Sequence, residues 1–215
     1  WLEFRRVLFR STKTDGTKTQ SIAIVEDTSS NFIFTSTGLI YTYDSNIYYV
    51  SYTDKKVGST TTVVEEYSEV LASEEDLCLF YTKASSNSLV SANNIGVVTS
   101  TGSSQTIISE STYSSEEAYY TDLDNLYTLA LVNYDASENV LYYTKTCVNS
   151  AAKVGTYGFK FESGYTFDKT AEVKFANSAL SSIYSLGIEK GIVDISSSTL
   201  KIYHPVGADG KDDME

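Results

Sequence analysis

Phe80-Tyr81-Thr82-Lys83, running on to Gly102, and Tyr142-Tyr143-Thr144-Lys145, running on to Gly164, are the two stretches whose reading decides the fold. Laid on each other without a gap, residues 80–102 and 142–164 share Tyr81/Tyr143, Thr82/Thr144, Lys83/Lys145, Asn87/Asn149, Ser88/Ser150, Gly96/Gly158 and Gly102/Gly164. Chance in so Ser-, Thr- and Tyr-rich a chain supplies roughly one or two such matches, so a tandem unit of about 62 residues is expected. Phe32-Ile33-Phe34-Thr35-Ser36-Thr37-Gly38 is echoed by Gly96-Val97-Val98-Thr99-Ser100-Thr101-Gly102 and by Gly158-Phe159-Lys160-Phe161-Glu162-Ser163-Gly164. Each reads as an extended stretch closed by a turn glycine, with Gly38, Gly102 and Gly164 in that role. Leu200-Lys201-Ile202-Tyr203 is a further echo of Val140-Leu141-Tyr142.

Within each unit the pattern is strand after strand. Asn46-Ile47-Tyr48-Tyr49-Val50-Ser51-Tyr52, Leu77-Cys78-Leu79-Phe80-Tyr81-Thr82 and Val140-Leu141-Tyr142-Tyr143-Thr144 are aromatic and β-branched, a composition that suits a pleated, half-buried surface. Asp15-Gly16, Tyr43-Asp44-Ser45-Asn46 and Glu162-Ser163-Gly164 punctuate them as turns. Residues 170–183 carry some Ala but no sustained helical stripe. The class expected is all-β. About four antiparallel strands per unit, recurring in tandem, describe a β-propeller, in which neighbouring blades cover each other's faces. The length allows three blades plus part of a fourth, an arc cut from a ring of about four to eight. A row of small β-sandwich modules is the alternative architecture.

Ile47-Tyr48-Tyr49-Val50, Leu141-Tyr142-Tyr143-Thr144 and Leu200-Lys201-Ile202-Tyr203 resemble the Tyr-rich repeat propellers of unknown function in extracytoplasmic lipoproteins of low-GC bacteria. The resemblance implies a propeller working outside the cytoplasm, at the cell surface or secreted. It carries no functional motif over, and the sialidase-type Asp box is absent.

The first residues differ from the rest. All three arginines, Arg5, Arg6 and Arg10, and the lone Trp1 fall in the first ten positions, and no arginine follows. Trp1 to Ser11 resembles a translated sequencing-adapter stretch; a targeting signal would need an apolar segment behind its basic residues. The organisation expected is a foreign or disordered leader over 1–11 and one repeat domain over 12–215. The only methionine, Met214, is next to last, which predicts a reading frame cut at both ends.

The chain's net charge is −12, and without Arg5, Arg6, Arg10 and Glu3 the remainder is more acidic still. Such a field repels phosphate backbones, so nucleic acid is not an expected partner, and no basic run in the body offsets it. A body without arginine has no guanidinium fork for bidentate grip on phosphate or carboxylate. No apolar run is long enough to span a bilayer as a helix.

Candidate chemistry is sparse. His204, beside Pro205, is the only histidine, so any triad would have to use it; a strand-end or turn residue is the favoured reading. One His with the distant Cys78 and Cys147 is a poor zinc set, so neither metal nor cofactor is expected. The cysteines read as buried thiols, with a bridge as the alternative. Glu65-Glu66, Glu74-Glu75-Asp76, Glu116-Glu117, Asp122-Leu123-Asp124-Asn125 and Asp212-Asp213 supply carboxylates that a glycosidase could pair across a cleft. Solvated loop charge is the plainer reading. Asp122-Leu123-Asp124-Asn125 lacks the Gly and closing Glu of a calcium hand, and Gly207-Ala208-Asp209-Gly210-Lys211 is not a phosphate loop.

Tyrosine, 18 copies, is the abundant residue with recognition potential. Adjacent strand residues point to opposite faces, so Tyr48/Tyr49 and Tyr142/Tyr143 each send one ring inward and leave the other able to reach solvent as a stacking surface. Packing between blades is the competing role. The function expected is a non-catalytic propeller module that binds a protein or a glycan. The alternative is part of a carbohydrate-active propeller enzyme using paired carboxylates. An open arc also predicts bare end faces, an unprotected edge near Leu200 to Tyr203, and self-association.

Overall fold

The computed structural model describes residues 7–12, 19–24, 31–53, 56–73, 78–84, 94–109, 127–147, 149–162, 172–196 and 198–214. It is all-β. A hairpin of β1 (Val7–Thr12) and β2 (Thr19–Ile24) precedes four antiparallel sheets of four strands each, none of them closed. Sheet 1 holds β3 (Phe32–Phe34), β4 (Gly38–Tyr43), β5 (Asn46–Thr53) and β6 (Lys56–Val64). Sheet 2 holds β7 (Tyr67–Ala72), β8 (Cys78–Lys83), β9 (Asn94–Thr99) and β10 (Ser104–Ser109). Sheet 3 holds β11 (Tyr127–Asp135), β12 (Val140–Cys147), β13 (Gly155–Lys160) and β14 (Glu172–Ala176). Sheet 4 holds β15 (Ile183–Ser185), β16 (Ile192–Asp194), β17 (Lys201–His204) and β18 (Asp213–Met214). In every sheet the strands pair in chain order, as a meander.

The strand stretches expected from composition fall in β5, β8, β12 and β17. Tyr43 pairs with Asn46 across the two-residue loop Asp44-Ser45, whose φ values of 46° and 57° are the paired positive φ of a type I′ hairpin. Two parts of the expectation are corrected. Sheet 4 has four strands, not a partial set, and β17 is an edge only in part: β16 pairs with Lys201 to Tyr203 on one side, and β18 covers Tyr203 and His204 on the other.

The second strands explain the stacking. Along β8, Cys78 to Tyr81 are all buried, and along β12 so are Val140 to Tyr143. Since successive side chains alternate in direction, an unbroken buried run means that both faces of the sheet are covered. Leu79 and Tyr81 pack towards sheet 1 with Ile33, Ile40, Ile47 and Val98. Cys78 and Phe80 pack towards sheet 3 with Leu129, Tyr134, Leu141, Tyr143 and Phe161. Val140 and Tyr142 pack towards sheet 4 with Phe175, Ile183, Ile192 and Tyr203. Sheets 2 and 3 are therefore covered on both faces, whereas each sheet of an isolated two-layer sandwich packs one.

Two of the shared glycines do not occupy equivalent places. Gly96 lies opposite Tyr81, which faces sheet 1, while Gly158 lies opposite Tyr142, which faces sheet 4. The third strands are thus displaced by one residue, which in a strand exchanges the faces. Each glycine still accepts a neighbouring ring: a Cβ on Gly96 would meet Tyr81 Cζ at 2.2 Å.

The Thr-Ser-Thr-Gly echo is corrected more sharply. Thr35 to Thr37 turn from β3 into β4, whereas Ser100 and Thr101 turn from β9 into β10, so the segments link different strand pairs. They touch instead of repeating. Thr35 Oγ1 and Thr37 Oγ1 donate to the Ser100 carbonyl at 2.8 and 2.7 Å. The Tyr49 ring lies against both glycines, where a Cβ would approach it to 2.5 Å at Gly38 and 2.3 Å at Gly102. Gly102, at φ +77°, is a turn glycine; Gly38 opens β4 and admits the ring. Gly164 and the Asp15-Gly16 turn lie outside the described residues.

Phe80, fully buried, sets its ring 4.8 Å from that of Tyr134 and 5.8 Å from that of Phe161. Phe80→Ala should lower unfolding free energy by about 3–5 kcal/mol. Gly96→Ala, whose methyl group would press on the Tyr81 ring, should lower it by about 1–3 kcal/mol. Urea unfolding measures both, and values within about 0.5 kcal/mol of the parent would contradict this packing.

Candidate functional site

The tyrosine pairs proposed as a stacking surface are distributed unequally. Tyr142 and Tyr143 are both fully buried, one on each face of sheet 3, so neither ring reaches solvent. Tyr143 stacks on Phe159 at 5.4 Å, and Tyr142 tilts against Phe175 at 5.7 Å. The Tyr142 hydroxyl donates to Ser185 Oγ at 2.9 Å, and Ser185 Oγ donates to Asp135 Oδ2 at 2.5 Å, a polar clasp from sheet 3 to sheet 4. Burial tends to raise the Asp135 pKa, but hydrogen bonds from Ser137, Ser185 and the Glu138 N–H outweigh it and hold the carboxyl below its usual value. Tyr48 and Tyr49 are half-buried. Tyr48 stacks on Tyr41 at 5.1 Å, while the Tyr49 hydroxyl donates to Thr37 Oγ1 at 3.0 Å beside the contact with sheet 2.

The remaining candidates are structural in setting. His204 sits in β17 with Nδ1 donating to the Lys190 carbonyl at 2.7 Å, since a carbonyl can only accept. Cys78 and Cys147 are buried thiols that form no disulfide. Glu65 and Glu66 are exposed between β6 and β7, and Asp212 accepts from the Asn177 N–H at 2.7 Å. Glu74 to Asp76, Glu116-Glu117 and Asp122 to Asn125 lie outside the described residues. Among the described residues no three His, Cys, Asp or Glu side chains cluster as metal ligands. An open groove of about 330 Å³ runs between sheets 1 and 2, lined by Thr62, Glu65, Tyr81, Lys83 and Ser104.

Sequence reading missed a cluster of three lysines and three tyrosines at one end of sheet 3. Lys145 pairs across to Gly155, and Tyr157 to both Tyr143 and Lys174, so the ladder β12–β13–β14 gathers residues remote in the chain. Lys145 Nζ lies 4.7 Å from the Tyr157 ring centre, 5.6 Å from that of Tyr127 and 6.0 Å from that of Tyr143. Lys174 Nζ lies 5.6 Å from the Tyr157 ring, and Lys153 Nζ 5.6 Å from that of Tyr127. Such ammonium–ring contacts are attractive through the ring quadrupole. Glu172 Oε1 meets Lys145 Nζ at 2.6 Å. Lys153 enters from the short 3₁₀ turn Ala151–Lys153, whose carbonyls hold the cluster: that of Lys153 accepts from the Tyr157 hydroxyl at 3.2 Å and that of Ala152 from Lys174 Nζ at 3.0 Å. A Cβ on Gly155 would strike Lys174 Cε at 2.5 Å, so the missing side chain gives the lysine its course.

Electrostatics mark the same place. Burial pushes Tyr157 up to about 12, with Glu172 and Tyr127 adding to it. Burial also pulls Lys174 down; Lys145 pulls the same way and Asp212 opposes. The absence of a basic run had argued against any local basic patch, but pairing assembles one from single lysines that no linear window contains.

No known protein family matches the chain, and neither curated proteins nor solved structures include a match.

Because its folded pKa is raised from 10.0 to about 12, neutral Tyr157 contributes stability that is complete below pH 10 and drains away as pH rises towards 12. Ring-carbon NMR titration should find Tyr157 ionising near 12, and Glu172→Gln should bring that value down. An unshifted Tyr157 would contradict the cluster.

Proposed function

We propose that the chain is a non-catalytic module of β-propeller type, an arc of stacked blades that binds or scaffolds a protein or glycan ligand outside the cytoplasm. The observation that carries this reading is the series of four four-stranded meanders joined in chain order by three apolar clusters. Propellers stack meanders in this way and place ligands on the turns that frame them. The half-buried and buried carboxylates among the described residues are engaged in structure: Asp135 by Ser137 and Ser185, Asp194 by Ser196, Asp212 by the Asn177 N–H, and Glu172 by Lys145. That favours binding over acid–base chemistry, which needs a carboxyl able to exchange its proton with substrate. Placement outside the cytoplasm follows the Tyr-rich propeller resemblance.

Glycan-array binding combined with a reducing-sugar assay tests the module directly. Binding without turnover is the expected outcome. Turnover abolished by a single carboxylate substitution would replace this reading with the carbohydrate-active enzyme.

The arc has its own consequence. Tyr184 (64% exposed), Val193 and Ile202 form a cross-strand row on the face of sheet 4 turned away from sheet 3. An apolar row of that kind continues the series of inter-sheet contacts, and a second copy of the chain is the occupant we assign to it. Sedimentation equilibrium should show concentration-dependent self-association, weakened by Tyr184→Lys with Ile202→Lys. A monomer at every concentration would contradict the open arc.

A further inference from the structure

We propose that the face of sheet 1 turned away from sheet 2 is an interaction surface for a neighbouring sheet, and that in this chain the β1–β2 hairpin occupies it as a cap, which limits assembly to a pair of copies joined through sheet 4. The inference rests on the stacked-arc reading and says which of its two ends is open.

Burial reveals the cover. Leu39, Tyr41 and Val50 point away from sheet 2, since Ile40, Ile47 and Tyr49 of the same strands take the side that meets it. They are nevertheless only 0%, 2% and 2% exposed. Strands of one sheet flank each other's side chains but do not roof them; a closed face needs a second layer about 10 Å away. Each of the other three apolar clusters joins residues of two sheets. Among the described residues this one holds sheet 1 alone, with Phe32, Tyr43 and Tyr48 around it.

The hairpin is the layer that the chain supplies. It is the described two-stranded element outside the four sheets, and residues 25–31 alone separate it from β3. That link begins Val25-Glu26-Asp27-Thr28-Ser29-Ser30, too polar to roof an apolar face itself. In the β1–β2 register Val7 pairs with Ile24 and Phe9 with Ile22, which puts four apolar positions on one side of the hairpin. The other side carries Arg10, Thr12, Thr19 and Ser21 beside Leu8 and Ala23. A two-stranded hairpin is marginal in water unless one face packs. The apolar side of this one and the Leu39–Tyr41–Val50 face meet each other's need.

The two ends of the series then differ. At sheet 4 the row of Tyr184, Val193 and Ile202 is open, with Tyr184 64% exposed. Were sheet 1 equally open, each copy would receive sheet 4 of the next, a head-to-tail contact that runs on as a filament or closes as a ring. With the hairpin in place, sheet 4 meets sheet 4 of another copy, a self-complementary contact that ends at a pair.

The test uses the full chain, with hydroxyl-radical footprinting read by mass spectrometry and sedimentation equilibrium on the same samples. In Phe9→Asp with Ile22→Asp the cap should lift. Oxidation of Tyr41 should rise severalfold, Tyr143 and Phe159 of sheet 3 should keep the parent's protection, and species larger than the parent's pair should form. Thr12→Asp with Ser21→Asp puts the same charge on the other side of the hairpin and should leave every reading at the parent's.

Unchanged Tyr41 in Phe9→Asp with Ile22→Asp, or an equal rise in the control, would overturn the cap and assign the cover to another segment. Loss of protection in sheet 3 as well would overturn it too, because a cap on sheet 1 is dispensable to a distant sheet. Growth of the parent beyond a pair, or a lifted cap without growth, would overturn the limit on assembly. Monomers in parent and variant alike would instead overturn the open arc, and Tyr41 oxidation would still decide the cap.

Discussion

Burial of both faces of the same strand is the constraint on which the rest of this structure depends. β8 and β12 run through the middle of their sheets, and each carries apolar or aromatic side chains in unbroken succession. Alternation sends every second residue to the opposite side, so neither sheet can bury its residues against a single partner. Sheet 2 needs a neighbour on the Leu79–Tyr81 side and another on the Cys78–Phe80 side. Sheet 3 needs one on the Leu141–Tyr143 side and another on the Val140–Tyr142 side. A series of stacked meanders is the arrangement that satisfies both.

Polar contacts then tie the stacked sheets at their turns. Between sheets 1 and 2 the Ser100 carbonyl receives two threonine hydroxyls, with the Tyr49 ring seated beside them against two glycines. Between sheets 3 and 4 the ties are Tyr142, Ser185 and Asp135 in sequence. Such bonds add directionality to an apolar contact that has little of its own. They also account for tyrosines that would otherwise look available for ligands. The Tyr142 hydroxyl is buried because it anchors sheet 4.

The strands were legible wherever their residues declared both composition and buried character. β5, β8 and β12 could be read from Ile47-Tyr48-Tyr49, Leu79-Phe80-Tyr81 and Leu141-Tyr142-Tyr143 alone. Register was not legible. Gly96 and Gly158 match in a linear comparison yet face opposite ways, because a one-residue displacement leaves no mark on the identities. The Thr-Ser-Thr-Gly echo misled for a related reason: similar turns can be complementary partners as well as copies. The lysine cluster was hidden because Lys145, Lys153 and Lys174 become neighbours only through β-pairing and one short turn. The unbroken runs in β8 and β12, by contrast, already implied that rings would be buried on both faces of those sheets.

A double-mutant cycle between Phe80 of sheet 2 and Phe161, which follows β13 of sheet 3, tests the stacking most directly. Their rings lie 5.8 Å apart at an interplanar angle of 20°, across the cluster that joins the two sheets. Phe80→Leu and Phe161→Leu, alone and together, should show a coupling energy of about 1 kcal/mol in unfolding. Additivity within about 0.3 kcal/mol would mean that the two rings do not meet, and the stacked-sheet account would be contradicted.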